Sequence, residues 1–286
     1  MTRAELSALL ASRGLAPRKR AGQHFLIDPN ALRAIVRDAA LPPHATVFEV
    51  GPGPGLLTDH LLDAGHRVIA VEIDRGLAAI CRERFGAVDR FTLLEGDVLA
   101  GRRALSPCVI EALSRVNEVH VVANLPYNIA SNVVLLLLEA DLPIATSTTL
   151  LQLEVAQRLV AEPSSEHYGH LSVLVQTLAE GRVTRRIPPK VFWPEPKVES
   201  AVLRLSRKSD PPDRDEYERL KALAKAVFQH RRKTLVHTLK ESGTSPETAR
   251  EALHALGHPP DARPERLSPA EFRLLARSLS STGRQA

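Results

Sequence analysis

The chain has 286 residues, 44% hydrophobic and 25% charged, with a formal net charge of +5. These are the values of a soluble globular protein with enough apolar residues for one large domain and a smaller one, and the basic balance favours an anionic partner. No stretch reaches the ~20 apolar residues of a membrane span, so no membrane association is expected.

The opening MTRAELSALLASRG carries Glu5 and no long apolar core, so it does not read as a secretory signal. Cys81 and Cys108 have neither metal-ligand spacing nor a disulfide framework. A reducing cytoplasm is the expected setting, with no bound metal. Arginine outnumbers lysine and methionine is almost absent, a bias that a GC-rich genome or heat adaptation can each produce.

From residue 46 to 151 strand-like and helix-like stretches alternate. Thr46–Val50 is a short β-rich run, followed by a Gly/Pro turn and a helix from Leu56 to Ala64. Arg67–Val71 is a second strand, and a helix opened by Asp74 runs to Phe85. Strands follow at Phe91–Leu94, Val119–Ala123 and Thr146–Leu151, with a helix at Ile129–Ala140 before the last. Strands separated by helices imply βαβ units and a parallel sheet. Helices are expected at 154–161 and 171–178, and an alternating strand at 198–205. Residues 209–213, Ser-Asp-Pro-Pro-Asp, read as a linker. Beyond it helices are expected at 214–229, 231–241, 246–256 and 268–280, and the last residues as a frayed end. The boundaries that follow are 1–208 for an α/β domain, including an extension over 1–45, and 209–286 for a helical domain.

Four features fall at the C-terminal ends of successive strands, the edge where open α/β sheets bind ligands. The first is Glu49-Val50-Gly51-Pro52-Gly53-Pro54-Gly55. Its glycines let a backbone approach a ligand closely, but the pattern is not the G-x-G-x-x-G of dinucleotide binders and no Ser, Thr or Lys follows to cradle phosphate. The second is Glu72, placed to accept both hydroxyls of a ribose. The third is Asp97, placed to accept the amino group of an adenine ring. The series fits S-adenosylmethionine better than NAD.

The fourth feature is Asn124-Leu125-Pro126-Tyr127. The lone pair of an adenine N6 is delocalised into the ring, which makes the amine a poor nucleophile. An Asn side-chain oxygen and a backbone carbonyl beside the Pro can accept its two hydrogens and draw the nitrogen toward tetrahedral geometry, while the Tyr ring stacks on the unpaired base. Three basic clusters accompany these features: Arg13, Arg18, Lys19, Arg20; then Arg182, Arg185, Arg186, Lys190; then His230, Arg231, Arg232, Lys233. Together they favour a nucleic-acid surface.

Taken in order, Gly22-Gln23-His24-Phe25-Leu26-Ile27-Asp28, the Gly51–Gly55 loop, Glu72-Ile73-Asp74, Gly96-Asp97, the Asn124 tetrad, Phe192–Ser200, Phe228–Leu235 and Arg263–Ser268 resemble the motifs of the ribosomal RNA adenine dimethyltransferases of the KsgA/RsmA small-subunit type. The resemblance runs from about residue 18 to residue 275. It implies an α/β, Rossmann-like S-adenosylmethionine-dependent methyltransferase domain carrying a small all-helical C-terminal domain that recognises rRNA. It further implies N6,N6-dimethylation of two adjacent adenosines near the 3′ end of 16S rRNA, coupled to small-subunit biogenesis; a monomer is expected, although the sequence does not fix the oligomeric state. By the same resemblance His24, Leu26, Gly51, Gly53, Glu72, Asp97 and Asn124 bind the cofactor. Asn124, Leu125, Pro126 and Tyr127 hold the target adenine, and Phe192 stacks on its other face. Arg18, Lys19, Arg20, Arg231, Arg232 and Lys233 contact RNA. His24 stands where the family often has Asn; both can donate a hydrogen bond. Two alternatives share the fold: a methyltransferase of large-subunit rRNA of the antibiotic-resistance type, and a ribosome-assembly or transcription factor without catalysis. His254 and His258 read as ordinary surface histidines.

Overall fold

A computed structural model of the chain describes residues 1–18, 22–230 and 233–282. The chain divides into two compact units, Met1–Ala156 with Gly181–Arg207, and Gln157–Glu180 with Lys208–Ala286. The second unit therefore takes in residues 157–180, which a boundary after 208 assigns to the first.

The first unit runs α1 (Arg3–Ser12), β1 (Phe25–Leu26), α2 (Pro29–Ala39), β2 (Thr46–Val50), α3 (Leu56–Asp63), β3 (Arg67–Glu72), α4 (Arg75–Phe85), β4 (Phe91–Glu95), α5 (Pro107–Ser114), β5 (Val119–Asn124), α6 (Ala130–Glu139) and β6 (Ile144–Gln152). After α7 (Leu153–Leu159) and α8 (His170–Leu178) it resumes within β7 (Ala179–Ile187) and closes with β8 (Phe192–Trp193) and β9 (Ser200–Arg207). The main sheet has seven strands in the order β4-β3-β2-β5-β6-β9-β7. β2 pairs in parallel with both β3 and β5, and β5 with β6, while β9 lies antiparallel to β6. The order reverses beside β2, so the carboxyl ends of β2 and β5 flank the switch point where such sheets open a crevice. The strands are legible because a strand covered on both faces is a continuous apolar run: Val47, Phe48, Val121 and Val122 are fully buried.

Leu32 and Ile35 of α2, Leu57 and Leu61 of α3 and Leu77 and Ile80 of α4 join Val47, Val68, Ala70, Val122 and Leu150 in one core, with Leu6 and Leu10 of α1. α2 starts where Asp28 accepts the Ala31 N–H at 2.8 Å and Pro29 fills the first helical position. α4 starts on Asp74, which accepts from Gly76 and Leu77. At the end of α6 the Arg207 guanidinium donates to the carbonyls of Leu138 and Ala140, at 2.8 and 3.1 Å, satisfying acceptors the helix leaves open.

The second unit adds α9 (Arg214–Gln229), α10 (Leu235–Glu241), α11 (Pro246–Ala255) and α12 (Pro269–Thr282). Buried Glu216 on α9 accepts from both Arg273 and Arg277 of α12, at 2.7 and 2.6 Å. The hydrogen bond from Arg273 leads in lowering its pKa to about 2. Tyr168, Phe228 and Phe272 stack edgewise and tilted in its interior. The Arg263–Ser268 segment is structural here: the Glu265 carbonyl accepts from Ser164, that of Leu267 from the Tyr168 hydroxyl, and Ser268 with Glu271 forms a reciprocal cap on α12. His258 is not a plain surface histidine, because its Nε2 meets Glu271 at 2.9 Å. The helix expected over 231–241 is described only from Leu235, with Thr234 as its cap and exposed Lys233 ahead of that cap. Arg231 and Arg232 lie outside the described residues, as do Lys19 and Arg20.

Candidate active site

The carboxyl ends of β2, β3, β4 and β5 border a cavity of about 250 Å³. Among its walls are His24, Gly51, Gly53, Glu72, Asp97, Asn124, Leu125, Pro126 and Tyr127, so one cleft collects most of the residues expected from the motifs.

The loop after β2 is held from several sides. Gly53 and Gly55 have φ of 58° and 83°. A Cβ on Gly53 would stand 3.0 Å from the Phe25 ring, and one on Gly55 only 2.3 Å from the Phe85 ring, so both conformation and space demand glycine. The Gly53 N–H donates to Glu72 Oε2 at 2.9 Å, and the Gly53 carbonyl accepts the buried Cys81 thiol at 3.1 Å. Glu72 Oε1 accepts the Asp74 N–H at 2.9 Å. Burial raises the Glu72 pKa, against the lowering by those N–H groups. Each oxygen of this carboxylate thus accepts a backbone N–H, which fixes the group at the cleft wall. Asp97 is turned by its own bond to the Leu99 N–H, at 2.9 Å.

Glu49, 1% exposed, accepts the Thr58 hydroxyl at 2.7 Å, and desolvation pushes its pKa up to about 8 from an ordinary 4.5. Between those values the folded protein keeps a proton that the unfolded chain has lost, so this group's contribution to stability falls as pH rises from 4.5 through about 8. Glu49→Gln keeps an acceptor for Thr58 and has no proton to lose. Its stability at pH 9 is expected to exceed the parent's by on the order of 2 kcal/mol, or ~4–8 °C in Tm, with the gain vanishing near pH 4.5. Thermal melts at both pH values check this; a gain independent of pH rules out the buried-carboxyl explanation.

At the end of β5, Asn124 Nδ2 donates to the His24 carbonyl at 2.9 Å. Its nitrogen is thereby committed, and its oxygen is left to accept. The Leu125 N–H extends the β5–β6 ladder to the Leu150 carbonyl, and Ile129 N–H closes a turn on the Pro126 carbonyl at 3.1 Å. The Tyr127 hydroxyl meets Ser200 Oγ at 2.6 Å, and its ring stacks on His24 with centroids 5.3 Å apart. Burial raises the Tyr127 pKa, so the phenol stays neutral. His24 Nδ1 lies 2.7 Å from the Pro194 carbonyl, which can only accept, so Nδ1 carries the proton. One face of Tyr127 is thus backed by His24, and the residue borders the cleft.

Two expected residues lie elsewhere. Leu26 is buried in a smaller recess with Leu32, Pro52 and Asn124. Phe192 is 3% exposed, pairs its backbone with Leu26 and belongs to the core, not to the cleft walls. Arg18, expected on RNA, is exposed but paired with Asp74 at 3.2 Å. The sequence reading leaves out the apolar walls: Leu77, Val98 and above all Ile73, which is 65% exposed. An apolar residue set between two acids, Glu72 and Asp74, directly at a strand end is the signal that could have found Ile73.

Residues 14–276 match the family model for ribosomal RNA adenine dimethylase. A ribosomal RNA small subunit methyltransferase A from Rubrobacter xylanophilus is 42% identical over 96% of this chain and 100% of its own length. Its namesake from Geobacillus thermodenitrificans is 38% identical over 95% of this chain and 94% of its own. The crystal structure of the 23S rRNA methyltransferase ErmE superposes with a TM-score of 0.68 at 27% identity, covering 90% of this chain and 99% of that one. A dimethyladenosine transferase from Plasmodium falciparum reaches 0.74 at 22% identity, covering 91% and 98%, and shows the shared fold. With its Rossmann-like sheet, its strand-end cleft and this likeness over nearly its whole length, the chain belongs to the ribosomal RNA adenine dimethylase family and is an rRNA methyltransferase.

Proposed function

We propose that the protein binds S-adenosylmethionine in the cleft and dimethylates N6 of two adjacent adenosines in the 3′-terminal hairpin of 16S rRNA, as a step in small-subunit biogenesis. The observation that carries the chemistry is the Asn124 amide, whose nitrogen is fixed on the His24 carbonyl so that its oxygen is the free acceptor. The small-subunit substrate is supported by the names of relatives 38–42% identical to this chain, against the large-subunit enzyme at 27%.

The walls suit the cofactor. Glu72 and Asp97 offer carboxylates to hydroxyls and an amine, and Ile73, Leu77 and Val98 offer an apolar face to a purine. Among the described residues no Lys or Arg lines the cleft, which fits a cationic ligand without phosphates. The cofactor supplies the electrophilic methyl group of a sulfonium. The chain supplies placement. Tyr127 offers its ring to an extruded adenine, and Asn124 Oδ1 with the Leu125 carbonyl accepts the two N6 hydrogens. After one methylation a single N6 hydrogen remains, so the second round keeps only one of these bonds. N6 becomes acidic once alkylated and loses its proton to water, so no side chain is assigned as general base. For Phe192 to stack on the second face of the base, its ring must leave the core.

The test is tritium transfer from labelled cofactor to unmethylated small subunits and, in parallel, to unmethylated large subunits, with nucleoside analysis. Dimethyladenosine in the 3′-terminal hairpin is expected; label in large subunits only, or none, overturns the reading in favour of the large-subunit enzyme or a non-catalytic factor. The helical unit and the basic residues Arg18, Lys19, Arg20, Arg231, Arg232 and Lys233 are proposed to hold the RNA. Replacing Arg231, Arg232 and Lys233 together by Ala is expected to weaken subunit binding and flatten its salt dependence, with cofactor affinity unchanged. An unaltered salt slope removes that cluster from the interface.

A further inference from the structure

The turn between β4 and α5 carries two arginines that none of the motifs account for. Arg102 and Arg103 are both exposed, and among the described residues neither makes an ion pair. Arg13 and Arg18, by contrast, are committed to Glu83 and Asp74. Two neighbouring guanidiniums without a carboxylate repel each other, and an anion relieves that repulsion.

The backbone that presents them is fixed. Ala100 N–H donates to the Ala104 carbonyl at 2.9 Å, Leu99 bridges Leu105, and Gly101 reverses the chain at a φ of 72°. The turn is also tied to the cleft on two sides. Upstream, Asp97 and Val98 are cleft walls, and Asp97 holds the Leu99 N–H. Across from it, Asn132 in the first turn of α6 donates to the Arg102 carbonyl at 3.1 Å, and α6 begins directly after the cleft residue Ile129. The tie uses the carbonyl of Arg102, so both side chains stay free to reach outward. The arginines therefore stand between the strand end assigned to the cofactor and the helix that follows the adenine-gripping tetrad.

We propose that Arg102 and Arg103 grip backbone phosphates of the RNA strand beside the extruded adenine. This rests on the proposed function and adds a docking contact at the rim of the same site. An extruded base keeps its phosphates outside the pocket, and planar guanidiniums suit phosphate oxygens. Phosphate contacts fix register without reading sequence, so the pair would set which nucleotide enters the cleft while Asn124 and Tyr127 recognise it.

The experiment compares the parent protein with Arg102→Ala/Arg103→Ala and with the charge reversal Arg102→Glu/Arg103→Glu. Three measurements are made: methyl transfer to unmethylated small subunits, binding of a short adenine-containing single-stranded RNA by anisotropy across a KCl series, and S-adenosylhomocysteine affinity by calorimetry. The Ala pair is expected to raise KM for subunits on the order of 10-fold with little change in kcat. It should lower the salt slope of oligonucleotide binding by about 1.4, for two single-strand phosphates. The Glu pair should exceed the Ala pair in both effects, and calorimetry should report an unchanged, folded cofactor site. An unchanged salt slope in both variants overturns the proposal. So does a defect seen with subunits but not with the oligonucleotide, which would assign the turn to an acidic protein surface. If the parent protein binds the oligonucleotide but methylates no subunit, the proposed function fails, and the salt slope still decides whether these arginines hold RNA.

Discussion

Asn124→Ala is expected to bind small subunits nearly as well as the parent protein and to methylate them on the order of 10²-fold or more slowly. The asymmetry follows from where the bond is made. The proposed bond from N6 to the Asn124 oxygen would strengthen as the amine becomes tetrahedral, so its loss falls on the transition state more than on the bound substrate. In the proposed reading, docking depends on basic surfaces that the substitution leaves intact. Removing the side chain also frees the His24 carbonyl, which now accepts from Asn124 Nδ2 at 2.9 Å. Single-turnover methylation beside a subunit-binding assay separates the two effects. Near-normal transfer would show that the tetrad is not the catalytic grip.

Glu72→Ala is expected to weaken S-adenosylmethionine binding by roughly 1.5–3 kcal/mol, the scale of hydrogen bonds to a charged group, or roughly 10- to 150-fold in Kd. It should also lower thermal stability, because the carboxylate holds the N–H groups of Gly53 and Asp74. Calorimetry on a variant shown to be folded reads the first effect, and a melt reads the second. Unchanged affinity in the folded variant would remove Glu72 from the cofactor site.

The sequence carried the sheet and most of the cleft because each is a local pattern. Buried parallel strands are unbroken apolar runs, and Gly51, Gly53, Glu72, Asp97 and Asn124 stand where those runs end. What it did not carry is what depends on distant partners. β1 and β8 are two-residue strands, too short for any period, and exist only because they pair with each other. α2 announces itself with Asp28 and Pro29, a signal hidden inside a stretch read as motif and extension. α1 has a weak amphipathic pattern, and α5 spans only eight residues. A buried Phe192 and a free Phe192 are the same letter, and so are an arginine bound to Asp74 and one facing solvent. His24 illustrates the limit best. Its residue type suggests a hydrogen bond, but only the fold shows that its ring, its Nδ1 and its carbonyl serve Tyr127, Pro194 and Asn124 separately.

Those three contacts of His24 also set an order of assembly. The bonds span 100 residues to Asn124 and 170 to Pro194, while Tyr127 is steadied by Ser200, 73 residues further on. The strands that carry Gly51, Glu72, Asp97 and Asn124 are all synthesised by residue 124, and they pair with one another. The contact of Tyr127 with Ser200, part of the proposed adenine platform, must wait for the chain to reach Ser200, well after those strands have emerged. During synthesis the proposed pocket for the methyl donor can thus form before the proposed grip on the acceptor, and a chain halted between the two would hold the first without the second.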